Sequence, residues 1–177
     1  MAKGTALRGY FLNRVSPVGV DMFKSMMDLP KDEAERLNEQ FGHKTSQRGN
    51  YYDHRVEVET WLRERAQAAG VATENENPLY FTLTPQAEDT PPEGATAVSL
   101  RAESIDLSQC SFTLEDSFHN HQFLNGEADP ASPSHPLLGQ VFNAQQMEEV
   151  IRQHRLLDYL KENKKSYIEV QMWARPS

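Results

Sequence analysis

Residues 167–173, with the sequence Tyr-Ile-Glu-Val-Gln-Met-Trp, give the clearest strand signal in the chain. Ile168, Val170 and Met172 alternate with polar or amphipathic side chains, and successive side chains of a strand point to opposite faces of its sheet. The stretch therefore predicts a strand with one face towards an apolar core and one wetter face. Pro176 ends it, and the regular alternation favours a place inside the sheet.

Three runs upstream show the same period of two, at residues 79–84, 95–100 and 110–114. A weaker strand signal covers residues 6–15, where aromatic and aliphatic side chains favour a strand but Gly9 interrupts the pattern. Together these runs predict a mainly antiparallel sheet with a core of large apolar side chains. That core is expected to contain Phe81, Phe112, Leu114, Ile151, Val170 and Met172.

Helical patterns dominate the first 70 residues. Residues 21–29 predict a short helix, and Pro30 suits the first turn of a second one that ends at Gly42. A longer helix begins at Asp53 or His54, because its apolar side chains recur at spacings of three and four. It ends at Gly70.

A further helix precedes the last strand. Asn143 suits its N-cap and Gln146 its capping-box position. The apolar spacing continues to about Glu162 and places His154 on the buried side of this helix.

These elements predict an α+β fold in one domain of residues 1–177, long enough to bury a core without a disulfide or a metal. N-terminal helices, at about 16–70, precede the mainly antiparallel sheet. A C-terminal helix packs on the sheet, and the chain closes with a final strand. An acidic sheet-and-loop part spans about 71–142, and the last helix and strand span 143–175.

The N-terminal residues lack the apolar run of a signal peptide, and no stretch reaches the roughly 18 apolar residues that span a bilayer. We therefore expect a soluble, cytoplasmic protein without a membrane partner. Cys110 is the single cysteine, so an internal disulfide is excluded. Its place on the inward row of a predicted strand favours core packing over a nucleophilic role. The sequence leaves the oligomeric state open.

The charge is concentrated in the middle of the chain. Residues 71–142 contain 11 carboxylates and one cation, Arg101, whereas the whole chain has a net charge of −8. Such a segment attracts cations or basic proteins if its charges share one surface, and otherwise only solvates its loops. The carboxylates proposed for a partner surface are Glu88, Asp89, Glu93, Glu115 and Asp129.

Residues 48–55 mix arginines with tyrosines, a pairing that suits base stacking beside phosphate contacts. The acidic charge of the chain opposes this interpretation, and no basic stripe continues from the segment. We therefore expect no nucleic-acid partner, and the tyrosines are expected to pack against the next helix.

A dense polar cluster directly follows the strand that ends at Leu114. If the strand continues, Asp116 lies on its inward row, and His119 and His121 share the other face about 7 Å apart. Two such imidazoles can bind one transition-metal ion. Without a metal, the same residues form a polar surface turn.

A catalytic metal site needs a third ligand, which His135, Asp116 or Asp129 could supply. The sequence thus offers a site of Asp116, His119, His121 and His135 for one zinc, iron or manganese ion. No phosphate-binding glycine loop, dinucleotide fingerprint, His-Glu-x-x-His or Gly-x-Ser-x-Gly motif accompanies it.

Two functions therefore stand at this stage. The leading one is a non-catalytic binding or interaction protein without a cofactor, whose acidic, loop-rich surface contacts a basic protein partner or ligand. The alternative is a metal-dependent enzyme, possibly a hydrolase, that uses the four residues named above.

Overall fold

Five antiparallel strands form one sheet in the computed structural model, which describes residues 6–40, 51–88, 90–126 and 135–175. The strands are β1 (Phe11–Pro17), β2 (Leu79–Thr84), β3 (Ala95–Arg101), β4 (Cys110–Leu114) and β5 (Ile168–Met172). Their order across the sheet is β3-β1-β2-β5-β4. The last strand of the chain thus lies between two others, as its alternation predicts.

Five α-helices occupy the described residues. They are α1 (Lys31–Gln40), α2 (Tyr51–Ala68), α3 (Ser117–Leu124), α4 (Ala144–Gln153) and α5 (Leu156–Glu162). The predicted capping box of α4 is confirmed, because Asn143 and Gln146 exchange side-chain-to-backbone hydrogen bonds. None of these helices is long and apolar enough to cross a membrane. The predicted stop at Gly42 lies outside the described residues.

The N-terminal part is not purely helical, which corrects the predicted arrangement. The weak strand signal over 6–15 is confirmed in part by β1, which runs from Phe11 to Pro17 and places the start of the sheet before the helices. In the segment predicted as a helix over 21–29, only the short 3₁₀ turn Met26–Asp28 forms. Arg14 of β1 explains the difference, because its guanidinium donates hydrogen bonds to the carbonyl oxygens of Met22 and Lys24. Those carbonyls are then directed at a strand rather than along a helix.

The C-terminal helix is also divided. Arg155 adopts a left-handed conformation, with φ of 50°, and separates α4 from α5. This break turns Leu156 into the core and leaves His154 exposed, so the predicted buried position of His154 is wrong.

One face of the sheet is apolar. A row of aliphatic side chains crosses all five strands: Leu100, Leu12, Leu83, Ile168 and Leu114. Met147 and Ile151 of α4 and Leu156 of α5 belong to the same buried cluster. All six predicted core residues are at most 7% exposed, which confirms that prediction.

The opposite face is buried too, contrary to the expected wetter surface. Trp173 packs against Leu62 and Ala66 of α2, and the first turn of α3 bonds to Glu169. The amphipathic stripe of α2 thus covers part of the polar face. Between α2, α3 and the end of β1 this cover leaves an opening.

Candidate ligand-binding cleft

The opening is a cleft of about 920 Å³ on the polar side of the sheet. The chain from Arg14 to Leu29 lines one side and the first residues of α3 line the other, while Tyr80 and Glu169 contribute from the strands. This volume lies within the roughly 300–1,000 Å³ of typical small-molecule sites.

The polar face results from the strand register. A row of polar side chains crosses the five strands: Ser99, Asn13, Thr82, Glu169 and Thr113. Asn13 joins its neighbours, because its side chain donates to Thr84 Oγ1 and accepts from Ser99 Oγ. Hydrogen bonds of this kind offset the cost of burying polar groups.

A buried amide anchors the row beside α3. Gln171 is fully buried, accepts from Ser111 Oγ, and donates to Thr113 Oγ1 and Glu169 Oε1. Trp173 Nε1 donates to the same Ser111 oxygen. The position of the Glu169 carboxyl is therefore fixed by β4 and β5 together.

Glu169 is 7% exposed and lines the cleft. Its Oε1 accepts from Gln171 Nε2 at 2.8 Å and from the Ser117 amide at 3.1 Å, whereas Oε2 makes no hydrogen bond within the described residues. Burial raises the Glu169 pKa to about 7, and the Asp116 charge adds to this, against the hydrogen bonds from Gln171 and Ser117. Glu169 therefore exists in both protonation states near neutral pH.

Arg14 is a half-buried cation of the cleft that forms no ion pair within the described residues. Its Nε donates to Met22 O at 2.6 Å and its Nη1 to Tyr80 O at 3.0 Å, and it forms no ion pair with a carboxylate of the described residues. Burial lowers the Arg14 pKa to about 10, and the guanidinium groups of Arg55 and Arg175 lower it further. The cleft thus contains a guanidinium group that no carboxylate of the described residues pairs with directly.

Arg55 differs from Arg14 because it has a carboxylate partner. Its Nε lies 2.7 Å from Glu59 Oε2, which also accepts from Tyr80 OH at 2.9 Å. Arg55 stacks over the Tyr80 ring, 5.4 Å from its centroid. Burial raises the Glu59 pKa in spite of Arg55. This triad fixes the Tyr80 ring in the cleft.

The α3 side adds polar and aromatic groups. Asp116 caps α3 by accepting from the His119 amide, and Phe118, His119 and Tyr167 line the cleft. Burial raises the Tyr167 pKa well above its usual range, and the Glu169 charge adds to the shift. The Tyr167 hydroxyl therefore stays protonated and can donate a hydrogen bond.

The four predicted metal ligands occupy three places. Residues 117–124 form a helix instead of continuing β4, so His119 and His121, two apart, do not face each other. Only Asp116 and His119 reach the cleft. In the chain as described, no three His, Cys, Asp or Glu side chains are grouped to hold a metal ion.

The other two histidines pack against rings. His121 is buried beside Trp61, with ring centroids 5.5 Å apart. The ring centroid of His135 lies 4.8 Å from that of Tyr159 and 5.9 Å from that of His154. These contacts place His121 between α2 and α3, and His135 beside α5.

The predicted acidic surface is spread out. Glu88 and Glu93 are exposed in the segment between β2 and β3, whereas half-buried Glu115 follows β4 at the opposite end of the sheet from Glu93. Asp89 and Asp129 lie outside the described residues. Of the described members, Glu88 and Glu93 lie in one segment.

Cys110 is fully buried, as predicted for a core residue. Burial raises its pKa to about 12, with the Asp106 charge adding to the effect, so the thiolate that a nucleophile needs is disfavoured.

Sequence reasoning missed Arg14, Tyr167 and Glu169 as site residues. Glu169 had a usable signal, since a carboxylate inside a central strand must be buried if any helix covers that face. Arg14 had a weaker one, a charged side chain within a run of strand-forming residues. Their convergence depends on the strand order, which local patterns do not specify.

The cleft thus combines an arginine without an ion pair among the described residues, a carboxyl group with its pKa raised to about 7, a protonated tyrosine and an apolar side. These groups can bind and orient a ligand. In comparisons with known proteins, the chain matches no family model, no curated protein and no solved structure.

Proposed function

We propose that this chain is a non-catalytic binding protein, and that its cleft holds a small anion with an apolar body. The observation that carries the proposal is Arg14, a half-buried guanidinium that lines the cleft and, among the described residues, bonds only to backbone carbonyls. Buried charges in proteins are normally paired. An anionic ligand would supply the missing partner, and arginine is well suited to carboxylate or phosphate groups.

The apolar body is inferred from the other lining residues. Val15, Val20, Met26 and Phe118 line the cleft, and Val15 is 52% exposed. Covering such side chains contributes roughly 25 cal/mol per Å² of apolar area. A ligand with an anionic head and a hydrophobic body would satisfy both sides of the cleft.

The test uses four probes with one body and different heads: 4-phenylbutanoate, 4-phenylbutyl phosphate, 4-phenylbutanol and 4-phenylbutylamine. Calorimetric titration of the wild type should show that the anions bind more tightly than the alcohol or the amine. Arg14→Gln should weaken anion binding tenfold or more, the range for losing one charge-assisted hydrogen bond. Arg14→Lys keeps the charge and should lose less.

Arg152→Gln is the matched control, because Arg152 is an exposed arginine outside this cleft. Its binding should equal that of the wild type. Melting temperatures of all variants must be measured, since Arg14 also holds the segment at Met22 and Lys24. Equal binding of all four heads would contradict the proposal.

A second proposal keeps the acidic loops as a surface for a basic protein partner. Glu88 and Glu93 are exposed and lie in one segment, which favours this use. A cytoplasmic location, and no nucleic-acid partner, belong to the same proposal. Charge reversal tests it, as described in the Discussion.

A metal-dependent enzyme, possibly a hydrolase, is the remaining hypothesis. Asp116 and His119 share the cleft, and these residue types bind zinc, iron or manganese. Elemental analysis of protein purified without chelator or affinity-tag metal should then find about one ion per chain. His119→Ala should remove it, and a metal-free wild type would contradict the hypothesis.

A further inference from the structure

The charges that line the cleft are nearly balanced. Arg14, Lys24 and Arg55 face Asp21, Asp116 and Glu169, and Glu59 offsets Arg55 from behind. With Glu59 counted, the cleft is close to neutral when Glu169 is protonated and has roughly one unit of negative charge when Glu169 is ionised. An anion therefore meets less repulsion when Glu169 is protonated, and a singly charged anion adds less unpaired negative charge than a dianionic phosphate.

The two oxygens of Glu169 are used unequally. Both hydrogen bonds from the protein reach Oε1, and Oε2 receives none from the described residues. A protonated carboxyl group has one O–H donor, and an O–H bonded to an ionised oxygen forms one of the stronger hydrogen bonds in proteins. Oε2 is thus the position from which Glu169 would donate to a ligand.

We propose that the ligand is a monocarboxylate with an apolar body, bound by Arg14 and by Glu169 in its protonated form, so that binding draws a proton into the cleft. The inference rests on the proposed function, because it assigns the ligand class and pH response of the same site. One ligand oxygen pairs with the guanidinium group and the other accepts the hydrogen bond from Glu169 Oε2. The proton comes from solvent, and no covalent bond changes.

The groups around Glu169 are consistent with this role. The charged or titratable side chains that face the cleft beside it are Asp116, the N-cap of α3, and His119 of α3, with Tyr80 of β2, Tyr167, Arg14 and Arg55. Thr113 and Thr82, its neighbours on β4 and β2, do not titrate near neutral pH. His119 is a histidine in the same cleft, so the test must separate its contribution from that of Glu169.

The experiment measures the dissociation constant of 4-phenylbutanoate by calorimetry at pH 6.0, 7.0 and 8.5. If the protonated form alone binds, the affinity of the wild type falls roughly fifteenfold between pH 7.0 and 8.5. Repeating the titration at pH 8 in buffers with different ionisation enthalpies should show uptake of nearly one proton per ligand. Glu169→Gln supplies a permanent N–H donor in place of the O–H, so its affinity should stay constant with pH.

His119→Gln should keep the pH dependence of the wild type. Loss of the dependence in His119→Gln but not in Glu169→Gln would overturn the inference. Binding of 4-phenylbutanoate that does not change with pH would also overturn the inference while leaving the proposed function intact. The same holds if 4-phenylbutyl phosphate binds more tightly at pH 8.5. If folded wild-type protein binds neither anion, or prefers 4-phenylbutylamine, both the inference and the proposed function fail.

Discussion

The two faces of β5 are buried to nearly the same degree but are filled with different chemistry. Ile168, Val170 and Met172 face the aliphatic cluster beneath α4 and α5, whereas Glu169 and Gln171 face a polar layer beneath α2 and α3. On the first face any close-packed apolar side chain stabilises the fold. On the second, each polar group needs a particular partner, because an unpaired one costs free energy.

This difference separates stability from binding within one strand. The apolar face has most of the buried hydrophobic side chains, while the polar face retains the cleft, an arginine without an ion pair among the described residues and a carboxyl group with a shifted pKa. Perturbed pKa values combined with a cavity are typical of functional sites. Substitutions on the apolar face should therefore mainly lower stability, whereas substitutions on the polar face should mainly change binding and pH dependence.

The largest effect is expected on the apolar face. Phe112→Ala removes a fully buried aromatic ring of β4 and should lower the free energy of unfolding by about 3–5 kcal/mol. Val18→Ala is the control, since Val18 is 64% exposed and should change stability by less than about 0.5 kcal/mol. Denaturant melts would reveal an error in the sheet register if Phe112→Ala cost under about 1 kcal/mol.

On the polar face, Glu169→Gln should change how stability depends on pH. The folded-state pKa is raised to about 7 from 4.5, so the folded protein retains a proton that the unfolded chain loses. Wild-type stability should therefore be greatest below the unfolded pKa and fall as pH rises through 7. Glu169→Gln lacks this loss. Between pH 4.5 and pH 8, its free energy of unfolding should therefore rise relative to that of the wild type by on the order of 3 kcal/mol.

Urea melts from pH 4.5 to 8 measure that difference. Glu93→Gln is the matched control, because it neutralises an exposed carboxylate and should leave the pH profile unchanged. Parallel profiles for the wild type and Glu169→Gln would show that the carboxyl group is not desolvated in solution.

Gln171→Met tests the polar face with a side chain of similar volume. It removes the acceptor of the Ser111 hydroxyl and a donor to Glu169, so unfolding should cost about 2 kcal/mol less, as expected for a buried group left unpaired. Thermal unfolding measures this change. Stability equal to the wild type would mean that the polar layer packs like an apolar core.

Much of the apolar face could be predicted from the sequence, because alternation in residues 79–84, 110–114 and 168–172 directly reports which side chains point inward. The stripe of α2 was also predictable. The face of the sheet that α2 covers was not predictable, since an amphipathic pattern does not indicate which surface the apolar side of a helix contacts.

Two local features could not be predicted from the sequence, because non-glycine residues adopt left-handed conformations there. Glu115, with φ of 66°, turns the chain after β4 and lets Asp116 cap a helix where a continued strand was expected. Arg155 likewise breaks a helical pattern that contains neither glycine nor proline. Such conformations are uncommon for L-residues and depend on tertiary contacts.

The smallest effect on stability belongs to the loops outside both faces. Glu88→Lys with Glu93→Lys reverses two exposed charges and should change the free energy of unfolding by less than about 0.5 kcal/mol per residue. If this segment attracts a basic partner, the pair should weaken binding of a decalysine peptide severalfold, and wild-type binding should decline above about 0.1–0.2 M salt as screening shortens to ~8–10 Å.

The position of the charges can be separated from their number. Glu149→Lys with Glu162→Lys makes the same change in net charge on exposed residues of α4 and α5. Electrostatic steering to a particular surface predicts that this control keeps wild-type affinity, because field strength at the loop falls off within about a Debye length. Fluorescence titrations of the three proteins decide the matter, and equal weakening in both variants would reduce the acidic loops to a contribution to net charge alone.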